Sequence, residues 1–549
     1  MPESSLLHEL IRNAAHKTPE AVALKSGEIS MPYSALDAAV EGAASGLLGL
    51  GLRRAERVAI YLEKRIESVV ASFAAPAAGA VFVPINPLLK PEQVAFILQD
   101  CDVRFLVTSP ERLALLRPVL TRCTGLRHVL VTDTSLAEPA STDGLPQTLA
   151  ALSWHELLGA PPATAHRVID VDMAAILYTS GSTGKPKGVV LSHRNMVAGA
   201  KSVASYLGNV AQDTLLAALP LSFDAGFSQL TTAFHAGARV VLLNYLMPRD
   251  VLKVLARERV TGLTAVPPLY IQLTQLDWPV GIDDHLRYFA NTGGRMPLDT
   301  LAKLRQRAPR SKPFLMYGLT EAFRSTYLPP EQIDLRPDSI GKAIPNAEIL
   351  VLREDGSPCD ADEPGELVHR GALVGMGYWN DSEKTAERYR LLPSGAPGRE
   401  AGLQLPEHAV FSGDTVRRDT EGYFYFIGRR DEMIKTSGYR VSPTEVEEIL
   451  YATRLVGECA AFGVDHPTLG QAIQIIVTPA DTAAVLDSSL LIAECRARMP
   501  SYMVPGGVEI VSGPLPRNPN GKIDRKLLLA EWTERRDAAA FDPTASIVI

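Results

Sequence analysis

The amino-acid sequence predicts an α/β fold, with a large N-terminal domain followed by a small α+β C-terminal domain. Helix-like and strand-like segments alternate over residues 5–130 and again from residue 214, which is typical of two β/α subdomains with parallel sheets. Residues 346–430 hold short alternating runs broken by Gly, Asp and Pro, which indicates a small β subdomain. A chain of 549 residues also exceeds one hydrophobic core, so more than one domain is expected.

Hydrophobic periodicity places the elements of the N-terminal domain. We predict helices at residues 6–15, 91–98, 192–207 and 225–233, and strands at 58–62, 103–107, 173–177, 189–191, 239–243, 261–266 and 288–291. Residues 134–170 are rich in Ala, Pro, Thr and Ser and are expected to form a loose connector.

The C-terminal domain has its own pattern. A capping box at Ser442–Glu445 predicts the start of a helix. Strands are expected at residues 460–464 and 472–477, whereas the last residues, from about 533 onwards, show no clear periodicity and are expected to fray.

The composition is that of an ordinary soluble globular protein, with 46% hydrophobic and 21% charged residues. A formal charge of −7 with no lysine-rich block argues against a nucleic-acid partner. The five cysteines are scattered without a CxxC pair, which fits reduced thiols in the cytoplasm. The N-terminus has early acidic residues and no long apolar core, so no signal peptide is predicted.

One stretch, residues 68–89, carries no charge and is long enough to raise the question of a membrane span. It consists mostly of small residues and is interrupted by three prolines. We therefore predict a buried helix that ends near Pro76, a strand at Ala80–Pro84, and a cytoplasmic protein without a membrane span.

The segment Tyr178–Gly188 has the composition of an anion-binding loop. It contains three glycines, four Ser/Thr hydroxyls and two lysines between two apolar runs. Glycines let backbone N–H groups turn inward, hydroxyls add donors and lysines neutralise charge, which suits a polyphosphate. No register of this segment fits the Walker pattern. A flexible surface turn is the alternative, although such turns rarely carry this lysine spacing between strand-like runs.

Two further motifs supply groups that could hold a nucleotide. Met316–Glu321 offers an aromatic ring for a purine, a hydroxyl for a phosphate and a carboxylate for Mg²⁺, and it follows a glycine turn at Asn291–Arg295. By itself it could be an ordinary helix start. Ser412–Asp414 and the aromatic run Tyr423–Arg429 could form a hairpin that places Asp414 beside Arg429, where a ribose diol could be held.

The last two motifs lie in the C-terminal part. Gly428–Arg440 could be a charged interdomain linker, and Pro516–Lys522 presents a lysine after a glycine. A lone loop lysine is usually a solvated surface charge.

The five motifs, in this order, resemble those of the adenylate-forming superfamily, which includes acyl-CoA synthetases, nonribosomal peptide synthetase adenylation domains and luciferases. They span residues 178–522, and the N-terminal third agrees in its β/α pattern. The runs at 339–348 and 435–448 are similar to those of the AMP-forming acyl-CoA ligases associated with exosortase A.

The resemblance implies an N-terminal domain at residues 1–430 and a mobile C-terminal domain at 431–549, with the hinge at Asp431. It implies Thr320 on a phosphate, Glu321 on Mg²⁺, and Lys522 between the carboxylate and the α-phosphate. Lys435 is implied to enter the site after the domain rotates. The implied ATP-binding residues are Thr179, Ser180, Gly181, Ser182, Thr183, Gly184 and Lys187 for phosphates, Gly294, Arg295 and Tyr317 for adenine, Asp414 and Arg429 for ribose, and Arg440.

The implied reaction joins a carboxylate to AMP with release of pyrophosphate and then transfers the acyl group to a phosphopantetheine thiol. The residues after Lys522 are too few for a carrier domain, so we expect a separate carrier protein or coenzyme A as the acceptor. A phosphotransferase would instead release ADP. A non-catalytic nucleotide-binding protein would be expected to lack Glu321 or Lys522.

The substrate is indicated by the segment Leu219–Ser228. Its Phe223-Asp224 pair resembles that of peptide-synthetase adenylation domains, whose aspartate holds the α-ammonium of an amino acid. Alternatively, Asp224 could cap the following helix, and the runner-up substrate is a fatty or aryl acid. The implied pocket residues are Phe223, Asp224, Ala225, Ser228, Ala265, Ala290, Thr292, Met316, Arg324 and Ser325. Since Arg324 is their only formal cation, an acidic or polar side chain suits this pocket better than a basic one.

Overall fold

The structure is a computed structural model that describes residues 3–133, 144–179, 186–393, 395–398, 402–429, 432–436, 439–466, 469–481, 486–519 and 521–540. Within these ranges, no helix combines the length and apolar composition that crossing a bilayer requires. Four sheets organise the described part of the chain.

The first sheet has seven strands in the order β7-β6-β5-β3-β4-β8-β9, parallel except for the β8–β9 hairpin. The elements up to this hairpin are α1 (Glu9–Lys17), β1 (Val22–Ser26), β2 (Ile29–Pro32), α2 (Tyr33–Gly49), β3 (Arg57–Tyr61), α3 (Ile66–Ala78), β4 (Val81–Pro84), α4 (Pro91–Asp100), β5 (Phe105–Thr108), α5 (Pro110–Leu120), β6 (His128–Val131), β7 (Ala150–Ser153), α6 (Trp154–Leu158), β8 (Met173–Thr179) and β9 (Lys187–Ser192).

The second sheet has nine strands in the order β16-β15-β14-β13-β12-β10-β11-β1-β2, with a parallel centre and antiparallel edges. Its later elements are α7 (His193–Leu207), β10 (Thr214–Ala217), α8 (Asp224–Ala236), β11 (Arg239–Leu242), α9 (Pro248–Arg257), β12 (Gly262–Ala265), α10 (Pro267–Thr274), β13 (Tyr288–Asn291), α11 (Leu298–Arg307), β14 (Lys312–Tyr317), β15 (Thr326–Leu328) and β16 (Lys342–Ala343), with 3₁₀ turns at Ile282–Asp284, Thr320–Ala322 and Pro330–Gln332.

The third sheet is the small antiparallel β subdomain, and the fourth contains only strands between residues 434 and 510. Their elements are β17 (Ala347–Leu352), β18 (Gly365–Gly371), α12 (Ser382–Arg388), β19 (Tyr389–Leu391), β20 (His408–Arg418) and β21 (Phe424–Arg429), then β22 (Ile434–Thr436), β23 (Tyr439–Val441), α13 (Pro443–Ala452), β24 (Val456–His466), β25 (Gly470–Pro479), α14 (Ser488–Arg498), a 3₁₀ turn at Ser501–Met503, β26 (Gly507–Ile510) and α15 (Arg525–Ala540).

The two large sheets share one hydrophobic core. The ring of Phe227 on α8 lies 5.6 Å from that of Phe73 on α3 and 4.8 Å from that of Phe82 on β4, and all three are fully buried. This packing fixes α8, which carries Asp224 at its first turn, against the first β/α subdomain.

The predicted α/β class is confirmed, and the predicted elements lie within a few residues of the observed ones. The prediction of a loose connector at 134–170 is wrong in part. Residues 134–143 lie outside the described ranges, but β7 pairs in parallel with β6, and α6 follows it with a Ser153 cap. The uncharged stretch covers most of α3, which begins at Ile66 and continues two residues past Pro76 to Ala78.

Two predictions for the C-terminal part need correction. The capping box does not form, because the Ser442 hydroxyl, which makes no hydrogen bond, faces Gly428 instead of the first turn of α13. Residues 533–540 do not fray, because α15 continues to Ala540, whereas residues 541–549 lie outside the described ranges. Trp532 of α15 packs edge-on against Phe462, and Arg535 pairs with Glu509 at 2.9 Å.

Gly226 should be intolerant of substitution. A Cβ at this position in α8 would lie 1.8 Å from the backbone oxygen of Pro220. We expect Gly226→Ala to lower the free energy of unfolding by about 1–3 kcal/mol or more, because the backbone itself has to move. Gly49→Ala is the matched control, since nothing lies within 4 Å of its Cβ. Urea denaturation should separate the variants, and equal midpoints would contradict this packing.

Candidate active site

The predicted phosphate loop falls between β8 and β9. Residues Ser180–Lys185 lie outside the described ranges, so the loop itself stays a prediction. The two ends of the loop are described. Thr179 and Lys187 are cross-strand partners in the antiparallel hairpin of β8 and β9. The two ends of the predicted anion-binding segment are therefore paired with each other at the edge of the first sheet.

Lys187 and Glu321 converge on Tyr378 from the β subdomain. The Lys187 ammonium lies 5.5 Å from the centre of the Tyr378 ring. The Tyr378 hydroxyl donates a hydrogen bond to Glu321 Oε1 at 2.5 Å. Desolvation, and then the nearby Lys384, lower the pKa of Lys187. One carboxylate oxygen of Glu321 is thus held by Tyr378 while Thr320, beside it, is buried.

The glycine turn after β13 is fixed by Asn291. Its side-chain amide donates to the backbone oxygen of Gly294 at 2.8 Å and accepts from the Met316 N–H at 3.2 Å. Gly293 has a positive φ of 75°, which favours glycine. These bonds align the turn with the end of β14, which carries Tyr317.

Asp414 and Arg429 form the predicted pair. They are direct partners on the antiparallel strands β20 and β21, and Arg429 Nε contacts Asp414 Oδ1 at 3.0 Å. The Tyr317 hydroxyl donates to the other oxygen, Oδ2, at 2.5 Å. Burial, and then Asp414, raise the pKa of Tyr317 well above its usual value. The hairpin geometry is confirmed, whereas the ribose role stays a prediction.

Lys522 reaches this cleft from the C-terminal domain. A Cβ on Gly293 would lie 3.2 Å from Lys522 Cε, and Asn86 donates a 3.0 Å hydrogen bond to Pro519 O in the same loop. Lys522 itself retains exposed surface. Desolvation, and then Arg429, lower the pKa of Lys522, while Asp224 and Asp414 oppose this shift. Lys522 therefore lies within electrostatic range of the carboxylates of Asp224 and Asp414.

A second contact joins the domains. Arg295 Nε lies 2.5 Å from Glu448 Oε1 on α13, and Arg454 lies 3.6 Å from Asp299 nearby. The Arg295 guanidinium thus has an ion-pair partner in the C-terminal domain, and its predicted place beside the adenine stays a prediction. Desolvation raises the pKa of Glu448 to about 7, and Arg295 opposes this shift.

The predicted acyl pocket contains a buried ion pair. Asp224 Oδ2 lies 3.4 Å from Arg324 Nη1, and each side chain is 3% exposed. Phe223 is the N-cap of α8 and its side chain makes no capping bond, so Asp224, at the first helical position, does not have the predicted alternative role of cap. Burial raises the pKa of Asp224, and Arg324 opposes this shift.

All the predicted pocket residues are buried, namely Phe223, Asp224, Ala225, Ser228, Ala265, Ala290, Thr292, Met316, Arg324 and Ser325. Ala225, Ser228, Met316 and Arg324 line a cavity of about 20 Å³, room for one water molecule. An acyl group therefore requires local rearrangement of the pocket. The Ser325 hydroxyl bonds His369 Nδ1 at 2.9 Å, outside the ion pair.

Three predicted residues are not settled by the described structure. Asp431 lies outside the described ranges, and the side chains of Lys435 and Arg440 are likewise not described. The backbone places Lys435 opposite Arg440 in the β22–β23 hairpin. The domain boundary, the hinge and the roles of these residues stay predictions.

Sequence reasoning missed Tyr378 and Glu448, and it named Asn291 only as the start of the glycine turn. The run Gly375–Tyr378 could have suggested the first, because two glycines just before an aromatic residue can mark a close backbone approach. Gly375 N–H indeed donates to Glu321 O at 2.8 Å. Nothing in the local sequence of α13 singles out Glu448.

The chain matches the AMP-binding enzyme family over residues 11–379 and the AMP-binding enzyme C-terminal domain over residues 445–522. The first match covers more than half of the chain. The chain therefore belongs to the AMP-binding enzyme family, within the adenylate-forming superfamily predicted from its motifs. The narrower resemblance to exosortase-associated ligases stays a prediction.

Curated relatives cover several substrate types. A linear gramicidin synthase polypeptide of Brevibacillus parabrevis is 29% identical over 536 residues, or 96% of this chain, but the chain spans only 6% of its length. An L-proline--[L-prolyl-carrier protein] ligase of Pseudomonas fluorescens is 28% identical, covering 95% of this chain and 98% of the relative. A feruloyl-CoA synthase of an Amycolatopsis species is 29% identical, covering 93% and 95%.

Among solved structures, the anthranilate CoA ligase AuaEII in complex with anthranoyl-AMP superposes with a TM-score of 0.83. It is 24% identical, and the match covers 97% of this chain and 98% of that one. At this identity the likeness shows the shared fold.

Proposed function

We propose that the protein is an AMP-forming ligase that activates an α-amino acid with ATP and passes the acyl group to a phosphopantetheine thiol. The observation that carries the proposal is the position of Lys522. A C-terminal lysine lies in the same cleft as Asp224 and as the Asp414–Arg429 pair, close to Gly293. This position supports a role for Lys522 between the candidate substrate and nucleotide sites.

In the first step, a carboxylate oxygen of the substrate attacks the α-phosphorus of ATP, and the bond to the β-phosphate oxygen breaks to release pyrophosphate. Negative charge builds up on the α-phosphate in the transition state. Lys522 stabilises this charge, and the Tyr317–Asp414–Arg429 cluster orients the nucleoside. The contribution of the protein is thus positioning and electrostatics.

The donor set fits Mg²⁺ bound through phosphate. Glu321 offers a carboxylate whose other oxygen is fixed by Tyr378. Across the described residues, no cluster of three or more His, Cys, Asp or Glu side chains could form a cage for a metal ion. Mg²⁺ is commonly held by one or two carboxylates together with substrate phosphates. When bound, it would neutralise charge on the phosphates, with Glu321 as its protein ligand.

In the second step, a thiolate sulfur attacks the acyl carbonyl carbon, and AMP leaves with the electron pair. The acceptor is a phosphopantetheine arm, carried either by a carrier protein or by coenzyme A. Support for both comes from the relatives, which include a prolyl-carrier protein ligase and a CoA synthase.

Asp224 supports an amino acid as the substrate. Its Oδ1 atom is buried and has no hydrogen-bond partner. A buried carboxylate oxygen without a partner is costly, and a substrate ammonium would satisfy it. The second candidate substrate is an aryl or fatty acid. The contact between Asp224 and Arg324 favours this candidate, because Arg324 already neutralises the Asp224 carboxylate without a substrate ammonium.

A nucleotide-product assay and pyrophosphate exchange test the proposal together. With the correct acid we expect AMP and pyrophosphate, whereas a phosphotransferase would yield ADP. Asp224→Asn keeps the shape but removes the charge, and we expect it to reduce amino-acid-dependent exchange by roughly tenfold or more. The control is exchange driven by plain acids in the same variant. The amino-acid assignment would be contradicted if the wild-type protein exchanged strongly with an unsubstituted acid and the Asp224→Asn variant did so equally strongly.

A further inference from the structure

We infer that the substrate is an acidic α-amino acid, whose ammonium binds Asp224 and whose side-chain carboxylate binds Arg324. This inference rests on the proposed function and narrows its substrate class. It comes from the state of the buried pair, in which two charged side chains meet through one long contact of 3.4 Å.

The pair is incompletely satisfied on both sides. Asp224 Oδ1 and Arg324 Nε are buried atoms without hydrogen-bond partners, although the two side chains contact each other. A guanidinium and a carboxylate that served only each other would favour a two-bond, parallel arrangement. The observed geometry instead leaves one polar atom of each residue for another molecule. Asp224 Oδ1 can accept a hydrogen bond from a cation, and Arg324 Nε can donate one to an anion.

Charge balance restricts what that molecule can be. The pair is neutral as it stands, with both groups almost fully withdrawn from water. A neutral amino acid would bring its ammonium beside Asp224 and leave a net buried positive charge with Arg324, which is costly. An acidic amino acid adds one charge of each sign, so every buried charge has a partner. Its reacting α-carboxylate stays at the Lys522 end of the site.

The wall of the pocket is mostly apolar, but one side of it carries polar groups. On α8, Ser228 and Thr232 place their hydroxyls 3.4 Å apart, and Gln229 has a buried Oε1 atom without a partner. These residues line the same cavity as Arg324. Because the cavity is small, a side chain the length of aspartate or glutamate requires less rearrangement than a long acyl chain does.

The test is pyrophosphate exchange with matched acids. The probes are L-aspartate and L-glutamate, their amides L-asparagine and L-glutamine, and the deaminated analogues succinate and glutarate, with butanoate and benzoate as plain acids. We expect the preferred acidic amino acid to exceed its amide and its deaminated analogue by roughly tenfold to a hundredfold.

Two variants alter the charge count and should shift the preference in opposite directions. Arg324→Met leaves Asp224 alone, so exchange should move from the acidic amino acid to a neutral one. Asp224→Asn leaves Arg324 alone, so exchange should move to the dicarboxylate that lacks an amino group. Each change of preference is measured within one variant, so a general loss of folding or activity does not imitate it.

The outcomes separate the two levels of the proposal. The acidic substrate would be overturned if the wild-type protein exchanged fastest with a neutral amino acid or a plain acid. It would also be overturned if Arg324→Met left the substrate preference unchanged. Either result would still be consistent with an AMP-forming ligase. If no acid supported exchange in protein that still binds ATP, the proposed function would fall and the inference with it.

Discussion

Replacing Lys522 by alanine should lower the rate of adenylate formation by about a hundredfold to a thousandfold, the effect expected when a preorganised charge at a transition state is removed. Lys522 lies beside Gly293 and in the field of Asp224 and Asp414, where the carboxylate and α-phosphate are expected to meet. Transfer of the acyl group from a supplied adenylate to the thiol should change little, because Lys522 belongs to a domain that is expected to rotate away for that step.

Single-turnover assays of the two half-reactions check this result. Lys526→Ala, which removes an exposed lysine four residues later, is the matched control and should leave both rates unchanged. A thermal melt should show that the Lys522→Ala protein is folded. If both half-reactions fell equally in Lys522→Ala, the division of labour between domain positions would be wrong.

Part of the candidate nucleotide site was predictable, because short sequence patterns predict the strands and turns that carry its residues. Alternation in Tyr423–Arg429 predicts a strand, and a hairpin then places Asp414 opposite Arg429, as observed. The order of the five motifs along the chain, which resembles that of the superfamily, then predicts that these residues belong to one site. Periodicity likewise predicts most elements of the two large sheets, since their strands are bounded by clear turn residues.

Contacts between distant segments were not predictable. Tyr378 reaches Glu321 across 57 positions of sequence, and Glu448 meets Arg295 across a domain interface. The sequence around Tyr378 does not indicate Glu321 as its partner, and the sequence around Glu448 does not indicate Arg295. The Asp224–Arg324 contact was predictable only in part. The family resemblance predicted that both residues belong to one pocket, but not that they contact each other. The prediction of a cap at Ser442 failed because tertiary packing against Gly428 turned the side chain away.

Reversing the charge of Arg295 should weaken docking of the C-terminal domain. In Arg295→Glu two carboxylates would face each other where Arg295 Nε and Glu448 Oε1 now lie 2.5 Å apart. Like charges in an interface cost several kcal/mol, so adenylate formation should fall by roughly a hundredfold. The double variant Arg295→Glu/Glu448→Arg restores opposite charges and should recover much of that loss, which a mere loss of adenine contacts would not permit.

The same pair predicts a pH dependence. Desolvation, together with Asp338, Glu445 and Glu447, raises the pKa of Glu448 to about 7 in the docked arrangement, and Arg295 opposes them. Because docking raises the pKa above its usual value of 4.5, the docked form binds the proton more tightly. Docking is therefore favoured at low pH and weakens as the pH rises towards 7, above which Glu448 is ionised in both arrangements.

Neutralising Arg295 should therefore matter more at high pH than at low pH. In Arg295→Met, Glu448 loses the charge that compensates it when ionised, so adenylate formation at pH 8.5 should fall further below wild type than at pH 6. Arg454→Met is the control, because Arg454 is 79% exposed and its 3.6 Å contact with Asp299 is screened by water. Equal losses in Arg295→Met at both pH values, or no rescue by the charge swap, would show that Arg295 acts on the nucleotide and not through Glu448.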